Sequence, residues 1–367
     1  MRIVLVVPGG VDRCGDRRVI PALITLIGRL SRRHDVQVIA LNQEPAPGEW
    51  PLAGAHIHNI GLGRTRRRAV AKIRALHRAA PVHVVHSIWS GSCGLVAAVA
   101  AGTLRLPCLI HLAGGELEAL HDIHYGGRLT WRGKAREALV LRAATVLTAA
   151  SAPMIEHLAR LGLEARRVPL GVDLDIWTPR EPVPRTPGSR ARLLHVASLN
   201  RVKDQGTLLR AMSLLEAAGL DFELEVIGED TLQGEIHRLA AQLRLNHRVR
   251  FLGFETQREL RLRVAAAHVL VHSSRHEAGP LVMLEAAATG VPTVGTAVGH
   301  IAEWAPEAAI AVPVGDAESL ARAIRGLLED EGLRMRIAEA AWRRAVQEDG
   351  DYTAYRFEEL YREVCGH

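Results

Sequence analysis

Short apolar runs alternate with amphipathic stretches along almost the whole chain, in two successive series. The first series passes from the apolar run 3–7 through a helical pattern over 20–33 to a second apolar run over 36–41. The second series starts in the same way, with 192–197 followed by a helical pattern over 207–218. Alternation of this kind favours parallel strands joined by crossover helices. The sequence therefore predicts an α/β protein with two doubly wound, Rossmann-like domains.

A proline-rich segment, residues 179–188 (PREPVPRTPG), separates the two series. Segments rich in proline and glycine interrupt regular structure, so we interpret this one as a linker. Residues 1–178 then form an N-terminal domain and 189–348 a C-terminal domain, and 367 residues are enough for two hydrophobic cores. The remaining segment, 349–367, is predicted to contain a last amphipathic helix over 351–364.

The composition describes a globular protein with excess positive charge. Hydrophobic residues make up 48% of the chain, and the formal net charge is +6. The four cysteines lack the spacing of metal sites and disulfide frameworks, which fits a reducing compartment (Cys14, Cys93, Cys108 and Cys365). No signal-peptide layout follows Met1, and the longest apolar run, 93–104, is too short to span a bilayer. We therefore expect a cytoplasmic protein, with contact at the inner membrane face left open.

The densest positive charge lies between Arg64 and Arg78 (RTRRRAVAKIRALHR). Apolar positions at helical spacing predict one buried face and one basic face. A solvated charged surface is the ordinary interpretation, and binding to an anionic membrane surface is the sharper alternative. Nucleic acid is disfavoured as a partner, because no aromatic residues interleave with the arginines and the charge is spread over both domains.

One stretch in the second series, residues 271–296, combines a strand, a polar loop and a helix. An apolar run ends in the loop, and Gly279-Pro280 has the form of a helix start, because proline suits the first helical position. The helix is predicted to continue over 281–288. Glu277 lies in the loop just before it, which places a carboxylate beside the first turn.

Two carboxylates flank the unpaired backbone amides of this helix start. Glu277 precedes the helix, Glu285 lies in its second turn, and the free N–H groups near Leu281 and Val282 lie between them. A helix N-terminus attracts phosphate, and carboxylates accept hydrogen bonds from sugar hydroxyls. Phosphate in the middle with hydroxyls on both sides describes a nucleotide sugar. The alternative is a capped helix with one solvated glutamate and one paired to an arginine.

In the first series, glycines follow the opening strand at Gly9, Gly10 and Gly15. They either let the backbone approach a ligand or only make a turn, and they lack the full G-x-G-x-x-G spacing of dinucleotide sites. His111 lies near the carboxyl end of a predicted strand over 107–112, where open α/β sheets place their ligands. A lone histidine in a strand is more often a packed core residue.

Several segments, in this order along the chain, together resemble the family 4 retaining glycosyltransferases of the GT-B class. The resemblance covers nearly the whole chain and is most specific between residues 195 and 315. The segments that carry it are VASLNRVKDQGTLLRAM (196–212), EVIGED (225–230), VRFLGF (249–254), HEAGPLVMLEAAATGVPTVGT (276–296), VGHIAEW (298–304) and AVPVGD (311–316). The resemblance implies two Rossmann-like domains facing across a cleft, with the last helix returning to the first domain.

The resemblance also implies roles for individual residues. Glu277 would contact the donor sugar and Glu285 would hold the ribose. Lys203 and the amides at the helix start would bind the diphosphate, while the family's arginine position falls on Ser198, with Arg201 as a substitute. Three further groups follow from the same match: the helix start (Gly279, Pro280, Leu281 and Val282), the segment beside the nucleobase (Phe251 and Leu252), and the glycines near donor phosphate (Gly9, Gly10, Gly15 and Gly228).

The catalytic residues implied by the resemblance are His111, near the transferred sugar, with Lys203 and Glu277. Lys203 and the helix start supply positive charge for the leaving diphosphate, so no metal or other cofactor is expected. The sequence Asp173-Leu174-Asp175 matches a metal-holding pattern of another transferase class, but it precedes the linker and is interpreted as a turn. The implied reaction is a front-face transfer with retention, from a nucleoside-diphosphate sugar to a glycan, lipid-linked sugar or small molecule.

Two other functions stay open at this point. A nucleotide-sugar 2-epimerase would use the same diphosphate site without an acceptor. A catalytically degenerate binding protein is suggested by Ser198 in place of the arginine, although Lys203, Glu277 and Glu285 are all present. The sequence does not identify the base, the sugar, the acceptor or the oligomeric state.

Overall fold

The computed structural model describes residues 1–366 and divides the chain into two compact units. The first unit contains Met1–Gly171 together with the chain from Gly350 onward, and the second unit contains Val172–Asp349. Each unit is a sheet covered by helices, so the prediction of two doubly wound α/β domains is confirmed. None of the helices within residues 1–366 is both long enough and apolar enough to cross a membrane.

The first unit is built on an eight-stranded sheet in the order β3-β4-β2-β1-β5-β6-β7-β8. All neighbouring strands are parallel except β3, which runs antiparallel to β4 at the edge. The strands are β1 (Arg2–Val7), β2 (Asp35–Ala40), β3 (Gly48–Leu52), β4 (Ala55–Asn59), β5 (Val84–Ile88), β6 (Cys108–Leu112), β7 (Val146–Ala149) and β8 (Arg166–Arg167). The helices are α1 (Pro21–Ser31), α2 (Thr65–Ala79), α3 (Leu95–Leu104), α4 (Trp131–Arg142), α5 (Ala152–Arg160) and, from the chain end, α13 (Gly350–Cys365).

The second unit is built on a six-stranded parallel sheet in the order β11-β10-β9-β12-β13-β14. Its strands are β9 (Ala191–Val196), β10 (Phe222–Ile227), β11 (Val249–Gly253), β12 (Val269–His272), β13 (Thr293–Thr296) and β14 (Ile310–Val312). Its helices are α6 (Gln205–Ala217), α7 (Glu235–Gln242), α8 (Gln257–Ala266), α9 (Leu281–Ala288), α10 (Gly299–Trp304), α11 (Ala317–Glu329) and α12 (Glu331–Gln347).

The last helix, α13, contributes to the core of the first unit. Phe357 and Tyr361 are fully buried there, and the Tyr361 hydroxyl lies 2.7 Å from Nδ1 of His86 on β5. A buried phenol and a buried imidazole that share a hydrogen bond remove two polar groups from the apolar core at little cost. The aromatic face of this helix therefore belongs to the first hydrophobic core.

Most predicted elements agree with the structure to within a few residues, and four differ. Strand β3 was not predicted, because Pro51 disfavours a strand except at an edge, which is where β3 lies. Residues 298–300, expected to be a loop, form the N-cap and first turn of α10. The helix predicted from Gly91 begins at Leu95, after a π-helical turn, and the strand predicted over 166–170 has only two residues.

Each sheet reverses its strand order at the first strand of its series. In the first unit β1 lies between β2 and β5, and in the second unit β9 lies between β10 and β12. The chain winds away from that strand in both directions, so the loops at its carboxyl end separate and leave a crevice. Ligands of open α/β sheets bind at this switch point.

Candidate functional site

The loop after β9 places two cationic residues in different surroundings. Nζ of Lys203 donates to Oε1 of Glu277 at 2.5 Å, across the switch point. Arg201 is exposed and pairs with Glu235 on α7 at 3.0 Å. Ser198, at the position where the resemblance leads us to expect an arginine, accepts a hydrogen bond from the Asn200 amide at 3.1 Å. Lys203 is thus the cation of this loop that lies beside Glu277, the first of the two predicted carboxylates.

Glu277 is held by three donors on a single oxygen. Besides Lys203, Nε2 of His272 lies 3.0 Å from Oε1 and the Ser274 hydroxyl donates to it at 2.7 Å. The other oxygen, Oε2, makes no hydrogen bond within residues 1–366 and is not fully buried. Burial alone would raise the pKa of Glu277, but the charge of Lys203 and the contact with His272 outweigh burial and hold the pKa well below its usual range. Glu277 is therefore an ionised acceptor with one free oxygen.

The helix start predicted beside Glu277 is present, one residue later than expected. Pro280 is the N-cap of α9 and not its first helical residue, so the helix begins at Leu281. No side chain caps it, and its first turn contains no acidic residue. The first N–H groups of a helix have no partner inside the helix. The amides of Leu281 and Val282 thus form an anion-attracting end next to the Lys203–Glu277 pair.

Glu285, in the second turn of α9, is only 7% exposed and has one side-chain partner. Nε2 of Gln257, at the start of α8, donates to its Oε1 at 3.3 Å. Burial raises the pKa of Glu285 to about 7, and the bond from Gln257 offsets only part of that rise. The carboxyl group is therefore close to half-protonated at neutral pH, unlike Glu277.

Two glycines predicted at the site are required by close backbone approaches. A Cβ on Gly228, after β10, would lie 2.0 Å from the carbonyl oxygen of Ala197 in the neighbouring loop. A Cβ on Gly279 would lie 2.5 Å from Nε2 of His300. His300 is buried on α10. The loop after β12 is thus fixed in position by packing against α10.

Phe251 and Leu252, predicted beside a nucleobase, lie in β11 at the edge of the second sheet. The Phe251 ring packs against His237 of α7, with ring centroids 4.1 Å apart. Leu252 packs against the apolar cluster that includes the buried face of α9. Both side chains are half-buried, so each keeps some surface for a further contact.

The glycine loop of the first unit follows β1. Gly10 and Gly15 have positive φ angles of 77° and 74°, and a Cβ on Gly10 would lie 2.5 Å from the Ile20 side chain. Gly9 approaches Gln43, whose Oε1 accepts from the amide of Val11 at 3.0 Å. Here the glycines serve a tight turn at the carboxyl end of β1.

The structure places His111 inside the sheet and not at its edge. It has no exposed surface, Nδ1 lies 2.9 Å from the Thr148 hydroxyl, and the ring packs edge-on against Phe357. Burial lowers its pKa to about 3. This enclosed geometry favours the interpretation of His111 as a packed core residue, and its catalytic role stays a prediction.

Sequence reasoning missed a buried carboxylate in the next loop. Glu116 follows β6 and accepts backbone N–H groups from Gly114 at 2.8 Å and Ser90 at 3.3 Å. Burial raises its pKa to about 7, and Glu137, whose carboxylate accepts from the Ser90 hydroxyl, adds to the rise. It joins the loops after β5 and β6. Its position four residues after a predicted strand end was the available signal.

His272 and Ser274 were also missed as site residues, although both lie in the stretch that the sequence analysis singled out. His272 is the last residue of β12 and Ser274 lies two residues after it, and the run of polar residues at a strand end was the signal that could have identified them. The Thr296 hydroxyl of β13 donates to the carbonyl of Ser274 at 2.6 Å, which holds the loop. Together they position Glu277.

Metal binding has one geometric candidate within residues 1–366, on the edge hairpin of the first unit. Glu49, His56 and His58 place one ligand atom each within 4.8 Å of one another. The ammonium group of Lys72 lies 2.6 Å from Glu49 and occupies the same carboxylate. In the D-x-D sequence, the Asp175 amide donates to Asp173 in a turn, as the sequence analysis interpreted it.

Two family models match the chain, one for each half. The model described as "Glycosyl transferase 4-like domain" matches residues 25–171, and the model described as "Glycosyl transferases group 1" matches residues 180–344. The second match contains Lys203, Glu277 and Glu285. The two matched ranges leave only the chain ends and a short connecting segment outside.

Curated relatives match at modest identity. LpsE of Rhizobium meliloti, a lipopolysaccharide core biosynthesis glycosyltransferase, is 34% identical over 157 residues, which is 42% of this chain and 44% of LpsE. The D-inositol 3-phosphate glycosyltransferase of Pseudarthrobacter chlorophenolicus is 26% identical over 377 residues, covering 95% of this chain and 90% of that protein. The chain spans about half the length of the first relatives it matches.

Solved structures match over nearly the full length. Sucrose-phosphate synthase from Thermosynechococcus elongatus has a TM-score of 0.83 at 20% identity and covers 99% of both chains. HepE of Anabaena, solved in complex with UDP, has a TM-score of 0.75 at 18% identity and covers 99% of this chain and 100% of HepE. At these identities the likeness establishes the fold alone.

Proposed function

We propose that this chain, which its two family matches and its fold identify as a glycosyltransferase of the GT-B type, moves a sugar from a nucleoside-diphosphate sugar to an acceptor. The acceptor is a glycan, a lipid-linked sugar or a small molecule, and the transferred sugar is a hexose. The anomeric configuration is retained, and no metal takes part. The observation that carries the proposal is the pairing of Lys203 with Glu277 beside the uncapped start of α9.

In this proposal the diphosphate lies between Lys203 and the amides of Leu281 and Val282. Charge accumulates on the leaving diphosphate as the bond to the sugar breaks, and fixed positive groups stabilise that charge most when they are already in place. Lys203 is kept in position by Glu277 before the nucleotide binds. The free oxygen of Glu277 then accepts a hydrogen bond from a hydroxyl of the transferred sugar.

Glu285 takes the ribose hydroxyls at the far side of the helix start. Hydroxyl donors favour the ionised carboxylate, and the free enzyme holds this group near its midpoint at neutral pH. Binding of the nucleotide therefore releases a proton from Glu285. Because the HepE structure was solved with UDP, UDP is the first nucleotide to test.

The test is a thermal-shift measurement with UDP, GDP, ADP and dTDP, each in the presence of EDTA. A diphosphate at a hundred times its dissociation constant should add about 2.7 kcal/mol to the free energy of unfolding. We expect one of them to stabilise the protein, and Lys203→Ala and Glu285→Ala to abolish the shift. Lys134→Ala, which removes an exposed lysine from the first unit, is the matched control. If none of the four diphosphates stabilises the protein, the proposal is wrong.

The reaction itself is followed by NMR with the stabilising nucleotide sugar. Incubation without an acceptor separates the transferase from an epimerase, because only an epimerase converts the donor to its 2-epimer under those conditions. Retention appears as an unchanged anomeric configuration in the transferred sugar. An inverted product would overturn the stereochemical part of the proposal alone.

A further inference from the structure

A cavity of about 1070 Å³ lies within the first unit at the carboxyl ends of its central strands. Pro8 follows β1, Leu41 and Asn42 follow β2, and Trp89 follows β5, so the cavity opens at the switch point of the first sheet. The glycine loop borders it, since Gly9 packs against the backbone of Asn42. This is the place where a doubly wound sheet binds a ligand.

The charge of the cavity lining is uniformly positive. Arg64, Arg66 and Arg67 contribute to it, and none of the residues that line it is acidic. Arg66 donates to the Ser92 hydroxyl at 3.1 Å. The guanidinium groups of Arg64 and Arg67 have no hydrogen bond or ion pair with any residue of 1–366. All three arginines are exposed, so water and salt screen their mutual repulsion, but an anion bound among them would still gain from their combined positive charge.

The rest of the lining is largely apolar. Ile20, Leu41, Leu62 and Trp89 form the walls away from the arginines. A cavity with apolar walls and a few convergent polar groups is the usual form of a small-molecule site, and its volume is at the upper end of such sites. It therefore has room for a sugar-sized or larger body beyond the group that the arginines bind.

We propose that this cavity is the acceptor site and that it takes an acceptor carrying a phosphate group, which Arg64, Arg66 and Arg67 bind. This rests on the proposed function, because only a transferase has an acceptor. Arginine is suited to the task, since its planar fork of donors matches phosphate oxygens in pairs. The phosphate belongs either to a soluble sugar phosphate or to a lipid headgroup, and the chemistry of recognition is the same for both.

The first experiment measures binding to the full chain by isothermal titration calorimetry. The probes are inorganic phosphate, glucose 6-phosphate and D-inositol 3-phosphate, with glucose and inositol as the matched unphosphorylated compounds. We expect the phosphorylated probes to bind more tightly than their matched partners. The double variant R64A/R67A should bind them about 10- to 100-fold more weakly, which is the range for losing charged hydrogen bonds.

Matched variants locate the effect. Arg74→Ala removes one exposed arginine from the same helix outside the cavity, and its affinity for phosphate should not change. In Lys203→Ala any binding of phosphate at the donor site of the second unit is weakened, so the binding that remains reports on the cavity of the first unit. Arg66→Lys keeps the positive charge but loses the paired N–H donors of the guanidinium group. We therefore expect its affinity for the phosphorylated probes to lie between those of Arg66→Ala and the wild type. Thermal unfolding of each variant excludes a general loss of structure.

A second arm separates the two sources of phosphate. Vesicles of phosphatidylglycerol are compared with vesicles of phosphatidylcholine in a sedimentation assay, with wild type, R64A/R67A and Arg74→Ala. If R64A/R67A no longer binds phosphatidylglycerol vesicles while Arg74→Ala still binds them, the phosphate belongs to a lipid. Equal loss in both variants would mean a diffuse basic surface and would overturn the cavity as the site.

The failures can be told apart. If no phosphate probe and no vesicle distinguishes R64A/R67A from the wild type, the acceptor proposal is wrong, while a nucleotide shift that depends on Lys203 would leave the donor site standing. If the probes bind in the cavity but no nucleoside diphosphate stabilises the protein, the proposed function fails and the acceptor role fails with it. With both sites occupied, R64A/R67A should raise the KM for the acceptor and leave the KM for the donor unchanged.

Discussion

The switch points of the two sheets share a topology and differ in their charge. In the second unit the cation Lys203 is already paired with Glu277, and the remaining donors converge on one carboxylate oxygen. In the first unit Arg64 and Arg67 surround an open cavity without a counter-charge among residues 1–366. The fold selects where a ligand binds, and the side chains select its chemistry. One site is assembled before its ligand arrives, whereas the other is completed by it.

Breaking the pair in the second unit should have the largest effect. Lys203→Met leaves Glu277 ionised, largely buried and without its cation, which we expect to lower the free energy of unfolding by about 2 to 4 kcal/mol. Nucleotide affinity should fall at least about 100-fold, because the variant loses the cation that pairs with Glu277 beside the helix start. Chemical denaturation and titration with the stabilising diphosphate measure the two effects separately.

The double variant K203M/E277Q serves as the control. Neutralising both groups removes the unpaired charge, so most of the lost stability should return while nucleotide affinity stays low. Stability that does not recover would mean that Lys203 acts through packing and not through its pairing with Glu277.

The glycine loops of the two units give the second comparison. Gly228→Ala would force a Cβ against the backbone oxygen of Ala197, and we expect a loss of more than about 2 kcal/mol. Gly10→Ala meets only the movable side chain of Ile20, so strain from its positive φ should cost about 1 to 2 kcal/mol. Gly102→Ala, in a helix with open space around it, should stabilise by about 0.5 to 1 kcal/mol. Any other order would contradict the steric argument.

A third comparison concerns pH, because each unit buries one glutamate whose pKa is raised to about 7. These are Glu285 in the second unit and Glu116 in the first. A raised pKa means that the folded protein binds more protons than the unfolded chain between pH 4.5 and 7. Stability from these groups is therefore greatest below pH 4.5 and declines up to pH 7. Glu285→Gln and Glu116→Gln should each flatten that decline in denaturation curves.

Nucleotide binding should respond in the opposite sense. Ribose hydroxyls donate to ionised Glu285, so affinity should rise up to about tenfold per pH unit below pH 7 and level off above it. Glu285→Gln should remove the part of the slope that does not come from titration of the nucleotide itself. An equal slope in the variant would remove Glu285 from the ribose site. Glu277 has a lowered pKa and should stay ionised throughout this range.

The sequence predicted the two domains because periodicity reports directly on buried faces, and it located the start of α9 to within one residue. It could not predict that His111 is enclosed, because enclosure depends on Phe357, which is 246 positions away along the chain and packs against it through α13. It also missed α10, a six-residue helix too short to show a period. Contacts between distant segments, such as Gly279 with His300, leave no local pattern to interpret.

The cavity in the first unit was missed for the same reason. The arginines were visible in the sequence as one face of a helix, and both a solvated surface and a membrane contact were compatible with that pattern. Their position relative to Pro8 and Trp89 follows only from the strand order, which brings the ends of β1, β4 and β5 to one edge. Side chains that a helix pattern treats as one exposed face are divided by the fold between the rim of a cavity and the rest of the surface.

The smallest expected effect separates the two cations of the loop after β9. Arg201→Ala removes an exposed pair with Glu235, which should change stability by less than about 1 kcal/mol. Arg201 is directed toward Glu235 on α7, whereas Lys203 is directed toward Glu277. Nucleotide affinity should therefore fall less than about threefold in Arg201→Ala. A loss of nucleotide affinity comparable to that of Lys203→Ala would show that Arg201 turns to the diphosphate when the ligand binds. Arg201 would then take the role of the family's arginine, whose position is occupied here by Ser198. In that case the second site would also be completed by its ligand, and the contrast between the two switch points would narrow.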